Sequence, residues 1–189
     1  MENKTKISNE HRLLLGDCLE KMNELPPQCI DCVINDPPYG STANRCDKEL
    51  DLEKMWECYE RVLKPQGTVI MFCCSDTTDD PLLPRLMMSR PKGWKFYTLV
   101  FQKANVVSNP MLKDVRPLRL HEDIIVFYRG SHTYNPQSWE KKHMKHRKLL
   151  DQTVNLREPT SILPVFPREK NNPNSTAKPV GTMEWLVQT

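Results

Sequence analysis

The chain alternates short apolar runs with amphipathic helical segments, and this alternation restricts the folds that it can adopt. Four runs have the length and apolar content of buried strands: residues 29–35, 68–74, 94–102 and 122–128. Three segments with helical spacing of apolar residues precede the first three of these strands: 18–25, 51–63 and 78–90. Strands that alternate with helices are typical of an α/β fold with a mostly parallel sheet. A further buried strand is predicted at 11–17 and a helix from Pro179 onwards.

Length and composition limit the class of protein. The 189 residues fit one domain, and we expect a single domain over residues 1–189. The sequence has no apolar run of about 18 residues, the length of a membrane span, and residues 1–12 lack the apolar stretch of a secretory signal. Seven cysteines, mostly in apolar surroundings, suit a reduced protein, so we expect the cytoplasm. Cys29 and Cys32 have metal-like spacing, but residues three apart in a strand point to opposite faces, and we expect no metal.

The strand at 29–35 runs directly into Asp36-Pro37-Pro38-Tyr39. In open α/β sheets, ligands bind beyond the carboxyl ends of the strands. The two prolines have a fixed φ and no N–H group, so the loop is rigid and offers carbonyl acceptors. Asp36 adds a carboxylate and Tyr39 adds a flat ring. A planar group that carries an amine, such as a nucleobase, fits this combination.

An exocyclic amine is a poor nucleophile because its lone pair is delocalised into the ring. Two acceptors, the Asp36 carboxylate and the Pro37 carbonyl, would localise that lone pair and stabilise the transition state of an attack on an electrophile. A base inside a duplex would have to flip out, and stacking on Tyr39 would replace about 1–3 kcal/mol of lost base stacking. The alternative interpretation is a plain turn, since Asp-Pro commonly opens turns.

Four segments, taken in order, resemble the β-class amino-methyltransferases of DNA, which often accompany restriction-modification systems or are carried by phages. They are LLLGDCLEKMNELPPQCIDCVINDPPYG (13–40), YERVLKPQGTVIMFC (59–73), LRLHEDIIVFYRG (118–130), and PTSILPVFPRE with AKPVGTMEWLV (159–169 and 177–187). The resemblance implies a Rossmann-like fold, S-adenosylmethionine as methyl donor and double-stranded DNA as substrate. In that family, Asp in the tetrapeptide is usual for adenine-N6 targets and Ser for cytosine-N4, so Asp36 favours adenine.

The resemblance also implies roles for individual residues. The target-base pocket would consist of Asp36, Pro37, Pro38 and Tyr39. The cofactor-binding residues would be Asp17, Asp36, Lys178 and Pro179. Within this set, Asp17 would lie on the same rim as Asp36, and the Lys-Pro pair would border the methionine part of the cofactor. His121 and Glu122 match a strand of the family and are expected to be structural.

One part of the family pattern has no counterpart in this sequence. In the family, the Lys-Pro helix leads into a strand ending in Phe-x-Gly-x-Gly, which cradles the cofactor, and the next strand ends in an acid that holds its ribose. None of the six glycines here forms a Gly-x-Gly. The resemblance therefore implies a sheet that is incomplete at its C-terminal end. Three explanations stay open: a truncated gene product, an enzyme completed by a second chain or a second copy, and an inactive DNA-binding protein.

Basic residues are concentrated in the second half of the chain. Residues 1–90 carry 11 Lys and Arg against 16 Asp and Glu, a net −5, whereas residues 91–189 carry 16 against 8, a net +8. A cluster within the second half consists of Lys141, Lys142, Lys145, Arg147 and Lys148. It lies in residues 103–170, where the resemblance places an inserted basic target-recognition region, so we expect phosphate contacts. The alternative is a solvated surface.

The chemistry of the side chains leaves the target open. Arg116, Arg119 and Arg157 are candidates for guanine contacts by chemistry alone. Transfer to cytosine-N4 remains an alternative to adenine-N6. An amine methyltransferase of RNA or protein would share the logic of the tetrapeptide, but the basic cluster favours a nucleic acid.

Overall fold

The computed structural model describes residues 11–39, 50–74, 81–104, 110–137, 159–163, 165–167, 169 and 177–189. The elements along the chain are α1 (Cys18–Asn23), β1 (Ile30–Asn35), α2 (Leu52–Val62), β2 (Leu63–Cys73), α3 (Leu82–Ser89), β3 (Trp94–Gln102), a 3-10 turn (Pro110–Leu112), β4 (His121–Arg129) and α4 (Val180–Gln188). The α/β alternation predicted from the apolar pattern is therefore present. No helix in these ranges is long and apolar enough to cross a membrane.

The sheet is mixed, with the strand order β1-β2-β4-β3. β1 and β2 are parallel, and β4 runs antiparallel to both of its neighbours, so β1, β2 and β3 share one direction. The prediction of a mostly parallel sheet holds for the direction of three strands but not for the pairing at β4. Parallel neighbouring strands need a crossover connection, which is usually a helix. Between β3 and β4, the described part of residues 103–120 contains only the 3-10 turn, and β4 pairs antiparallel with β3.

The predicted strand at 11–17 is wrong. These residues form no strand, and the side chains of Leu13 and Leu15 are each 97% exposed. A strand needs a partner for its backbone N–H and C=O groups, and no described strand lies beside this segment. Asp17 instead becomes the N-cap of α1.

β2 starts earlier than the apolar run predicts and absorbs the expected turn at 64–67. Ile30 of β1 pairs with Leu63 and Cys32 pairs with Thr68, so the intervening residues of β2 bulge from the ladder. Gly67 permits this bulge because a Cβ atom there would lie 2.8 Å from the Leu63 side chain and 3.0 Å from the Lys64 carbonyl oxygen.

Helices cover both faces of the sheet and define two apolar clusters. Successive side chains of β2 point to opposite faces: Val69 and Met71 pack in the cluster beneath α2 and α3, and Ile70 and Phe72 pack in the cluster with α4. Such two-sided burial accounts for the unbroken apolar runs of the central strands.

The two outer edges of the sheet differ. Along β3, the N–H of Val100 donates to the Ser161 carbonyl at 2.7 Å and the N–H of Leu163 donates to the Val100 carbonyl at 2.9 Å. The outer edge of β1 has no strand partner among the residues that the structure describes. Within residues 103–170, β4 is a central strand of the sheet.

The shared strand direction brings the functional loop and β4 together. β1, β2 and β3 all end at one side of the sheet, which we call the carboxyl edge, and the antiparallel β4 begins there. The loop that contains Asp36, the end of β2 and the start of β4 are therefore neighbours.

Candidate active site at the carboxyl edge

The loop after β1 has a buried first proline and an exposed acid. Pro37 is buried, Pro38 and Tyr39 are half-buried, and Asp36 is exposed. The Tyr39 ring packs against the cluster beneath α2 and α3. Its hydroxyl donates to Asp36 Oδ1 at 3.1 Å. The tetrapeptide therefore presents a carboxylate that is held by its own tyrosine.

Lys178, from the segment before α4, lies against this loop. Its Nζ atom is 2.8 Å from Asp36 Oδ2, and its side chain is 12% exposed against 41% for Asp36. The same Nζ lies 4.9 Å from the ring centroid of Phe72 and 5.9 Å from that of Tyr39, within the range of cation–π attraction. The fold therefore brings Lys178 next to Asp36, whereas its predicted contact with the methionine part of the cofactor stays a prediction.

Glu122, at the start of β4, is the other carboxylate of the site. Its Oε2 atom forms an ion pair with Lys178 Nζ at 3.1 Å. Its Oε1 atom lies 2.5 Å from Lys103 Nζ. Burial acts to raise the pKa of Glu122, but Lys178 and Lys103 outweigh it and the pKa is lowered. Glu122 is therefore ionised at neutral pH.

The sequence did not identify Glu122 and Lys103 as site residues, and Glu122 was expected to be structural. An acid at the start of an apolar strand is a weak signal by itself. Only the antiparallel direction of β4 brings that end of the strand to the carboxyl edge. The direction cannot be read from the local pattern, and for that reason the signal was missed.

Burial also affects Tyr39. Burial itself, followed by the charges of Glu122 and Asp36, raises the pKa of Tyr39 strongly. The phenol therefore stays protonated and remains a hydrogen-bond donor to Asp36.

The other predicted site residues either have structural contacts of their own or lie outside the described residues. Asp17 is exposed and caps α1, with Oδ1 accepting from the N–H of Leu19 at 2.8 Å and of Glu20 at 3.4 Å. Pro179 occupies the N-cap position of α4. The basic cluster lies outside the described residues: Lys141, Lys142, Lys145, Arg147 and Lys148.

Arg119 was a candidate for guanine contact, but its side chain is buried and not accessible to DNA. It is 9% exposed, forms an ion pair with Asp123, and donates to Cys74 Sγ at 3.1 Å. Its guanidinium therefore serves the packing at the start of β4. Arg157 lies outside the described residues.

Two cavities bear on ligand binding. A small one of about 20 Å³ adjoins Lys178, Pro179 and Glu122, which is room for one water molecule. A larger one of about 770 Å³ lies on the sheet face that carries α4 and is lined in part by Ile70, Leu99 and Trp185, but by neither Asp36 nor Tyr39. No group of three or more metal-ligating side chains occurs in the described ranges.

Comparisons with known proteins identify the family. The model of the DNA methylase family, the N6/N4 methyltransferases, matches residues 30–189. The Type II methyltransferase M.HpaI of Haemophilus parainfluenzae is 36% identical over 73 residues, which cover 33% of this chain and 23% of that protein.

Two solved structures share the fold. The M1.HpyAVI complex with S-adenosylmethionine has a TM-score of 0.53 and 16% identity, with 90% of this chain and 70% of that chain covered. The cytosine-N4-specific PvuII DNA methyltransferase has a TM-score of 0.51 and 15% identity, with 84% and 58% covered. The α/β methyltransferase fold and the resemblance drawn from the four segments are confirmed. The chain spans about a quarter of the length of M.HpaI.

The tetrapeptide at the carboxyl edge, the fold around it and a family match over most of the sequence agree with one another. The chain belongs to the N6/N4 DNA methylase family.

Proposed function

We propose that the protein is a site-specific DNA methyltransferase that transfers a methyl group from S-adenosylmethionine to N6 of a flipped-out adenine. The observation that carries the proposal is the Asp36 carboxylate, accessible at the carboxyl edge and fixed by Tyr39 and Lys178. Membership of the DNA methylase family supports the substrate class.

The chemistry follows from the acceptors of the loop. Asp36 and the Pro37 carbonyl accept the two hydrogens of the amine, which directs its lone pair out of the ring plane. This stabilisation increases as the amine nitrogen becomes tetrahedral, so it favours the transition state over the ground state. Tyr39, half-buried and anchored by its hydroxyl, offers its ring to stack on the base.

The fit of the methyl donor can be tested against the charged residues of the rim. The methionine end of S-adenosylmethionine carries an ammonium and a carboxylate, and Lys178, Glu122 and Asp36 supply complementary charges. The small cavity beside Lys178 is too small for the adenosine end, and the larger cavity lies away from Asp36. We therefore propose that Lys178, Pro179 and Asp36 border the methionine end, with Asp17 on the same rim. When bound, the donor supplies an activated methyl group.

The test is methyl transfer from labelled S-adenosylmethionine to unmethylated double-stranded DNA, followed by nucleoside analysis. We expect N6-methyladenine; N4-methylcytosine would overturn the adenine assignment. Asp36→Ala should lower transfer by about a hundredfold or more, as expected for the loss of one group that stabilises the transition state, and leave DNA affinity unchanged.

A matched control is available on the same strand. Asp31 is also exposed and paired with a lysine, with Oδ1 2.7 Å from Lys64 Nζ. Asp31→Ala removes an Asp–Lys ion pair that is more exposed and lies away from the carboxyl edge, and it should leave transfer unchanged. Equal activity in Asp36→Ala and Asp31→Ala would contradict the role of Asp36.

The outer edge of β1, which has no strand partner in the part of the chain that the structure describes, suggests how the sheet could be completed. Edge strands present unpaired N–H and C=O groups that can pair with another strand, and Leu13 and Leu15 are nearly fully exposed in the segment before α1. We propose that a further strand, from a second chain or a second copy, completes the sheet at β1 for activity. Light scattering under assay conditions tests this, because a monomer that methylates DNA by itself would exclude it.

The alternative function is an inactive DNA-binding protein. It is supported if the protein binds DNA but transfers no methyl group under any condition.

A further inference from the structure

Lys178 lies between two carboxylates that come from different parts of the fold. Its Nζ atom is 2.8 Å from Asp36 Oδ2 and 3.1 Å from Glu122 Oε2. The side chain is only 12% exposed, so the ammonium has lost most of its water. A buried cation requires compensating partners, and these two carboxylates provide them.

Glu122 in turn forms an ion pair with Lys103, with 2.5 Å between Oε1 and Nζ. Four charges therefore alternate in sign in the order Lys103, Glu122, Lys178 and Asp36, which we call the ion-pair chain. They come from the residue after β3, from β4, from the segment before α4 and from the loop after β1. Exposure is 14% at Glu122 and 41% at Asp36, so the chain is anchored inside the protein and open to solvent at Asp36.

Both oxygens of Asp36 are engaged but not saturated. Oδ1 accepts from the Tyr39 hydroxyl and Oδ2 faces the Lys178 ammonium. A carboxylate has about four acceptor positions, so Asp36 can accept a further N–H while both contacts persist. The contacts then fix its orientation, which matters because transfer requires the acceptor in a narrow range of geometry.

We propose that Lys178 is a positioning residue for Asp36, and that Glu122, supported by Lys103, acts on Asp36 through Lys178. This rests on the proposed function, because it takes Asp36 as the acceptor of the target amine. Glu122 shares the ammonium and so leaves acceptor capacity on Asp36. Without Glu122, the ammonium pairs with Asp36 alone and competes with the amine.

The first test is a double-mutant cycle on methyl transfer with Glu122→Gln, Lys178→Met and both together. Each single change should lower kcat about tenfold or more, and KM for DNA should stay within about threefold because phosphate contacts elsewhere dominate affinity. Since Glu122 acts through Lys178, the double variant should have the kcat of Lys178→Met alone. Additive losses would overturn the proposal.

A neighbouring residue provides the control. Asp123 is also on β4, its side chain is also 14% exposed, and it forms an ion pair with Arg119, outside the ion-pair chain. Asp123→Asn removes a carboxylate of the same burial and should keep kcat within about threefold of the wild-type value. The variant should have a lower thermal midpoint, because Arg119 loses its buried partner. All variants are assayed at a temperature below the lowest of their thermal midpoints. If Asp123→Asn loses as much kcat as Glu122→Gln, the role of Glu122 is structural only.

The second test does not depend on activity. The side-chain carboxyl ¹³C resonance of Asp36, assigned by its loss in Asp36→Asn, should move in Glu122→Gln and Lys178→Met and stay in place in Asp123→Asn. In a Lys178→Met background, Glu122→Gln should cause no further movement. If the Asp36 resonance does not move in Glu122→Gln, the inference is overturned even if methyl is transferred. If the wild-type protein transfers no methyl, the proposed function is refuted, but the resonance still tests whether Glu122 acts on Asp36.

Discussion

At the scale of single residues, the chemistry of the tetrapeptide is local. Tyr39 donates to Asp36 three residues away, and burial keeps the phenol protonated by raising its pKa. The sequence predicted both residues in one rigid loop, with Tyr39 stacking on the base, but it did not predict the hydrogen bond between them. Lys178 and Glu122 approach Asp36 only through the fold. The resemblance to a family implied that Lys178 borders the cofactor and that Glu122 is structural, and it implied no contact of either residue with Asp36.

Asp17 combines a structural contact with a proposed role in cofactor binding, and two substitutions separate them. Asn caps helices about as well as Asp, whereas Ala costs about 1 kcal/mol. Asp17→Ala should therefore lower the free energy of unfolding by about that amount, and Asp17→Asn should leave it unchanged. If the carboxylate contributes to cofactor binding, both variants should weaken the affinity for S-adenosylmethionine measured by calorimetry. An Asp17→Asn protein with wild-type affinity would limit Asp17 to its helix cap.

At the scale of elements, prediction succeeded where the local pattern decides the structure. β3 has the predicted bounds, β1 starts one residue later than predicted, and α2 and β4 differ from their predicted bounds by one residue at each end. It failed at 11–17, because an apolar run becomes a strand only beside another strand. It also did not foresee the direction of β4, which depends on the connection between β3 and β4. Residues whose roles depend on pairing were therefore the ones missed.

The attachment of α4 gives a prediction about stability. A Cβ atom at Gly181 would lie 2.5 Å from Cδ1 of Phe166, whose ring is a rigid unit. Gly→Ala within a helix normally stabilises by up to about 1 kcal/mol, but here overpacking should outweigh this and lower the free energy of unfolding by about 1–3 kcal/mol. Urea denaturation measures the change. Phe166→Leu should partly rescue Gly181→Ala, and a more stable Gly181→Ala protein would show that the two residues are not in close contact.

The ion-pair chain links four elements and should make stability depend on pH. Burial would raise the pKa of Glu122, but Lys178 and Lys103 lower it below its ordinary value of 4.5. A group with a lowered pKa in the folded state stabilises the protein above its unfolded pKa and loses that contribution as the pH falls through the folded pKa. The stability difference between wild type and Glu122→Gln should therefore be largest at neutral pH and decrease in acid. Urea denaturation at several pH values measures it, and a pH-independent difference would contradict the ionised state of Glu122.

At the scale of the whole molecule, charge is divided along the sequence. Residues 1–90 carry a net −5 and residues 91–189 a net +8, so we expect the attraction for a polyanion to lie in the second half. The carboxyl edge itself is balanced, because the ion-pair chain contains two cations and two anions. Affinity for DNA and chemistry on the base are thus expected to reside in different residues, and variants can separate them.

The basic cluster tests this separation through the salt dependence of DNA binding. Each phosphate contact releases counterions and contributes about −0.9 to the slope of log K against log salt concentration. Replacement of the five cluster residues by Gln should reduce the steepness of that slope by up to about 4.5 and weaken binding to all sequences alike. Lys54→Gln with Lys64→Gln, two lysines that pair with Asp51 and Asp31, should leave the slope unchanged. An equal slope in both variants would assign the cluster to a solvated surface, and DNA affinity would then have to come from other basic residues of the second half.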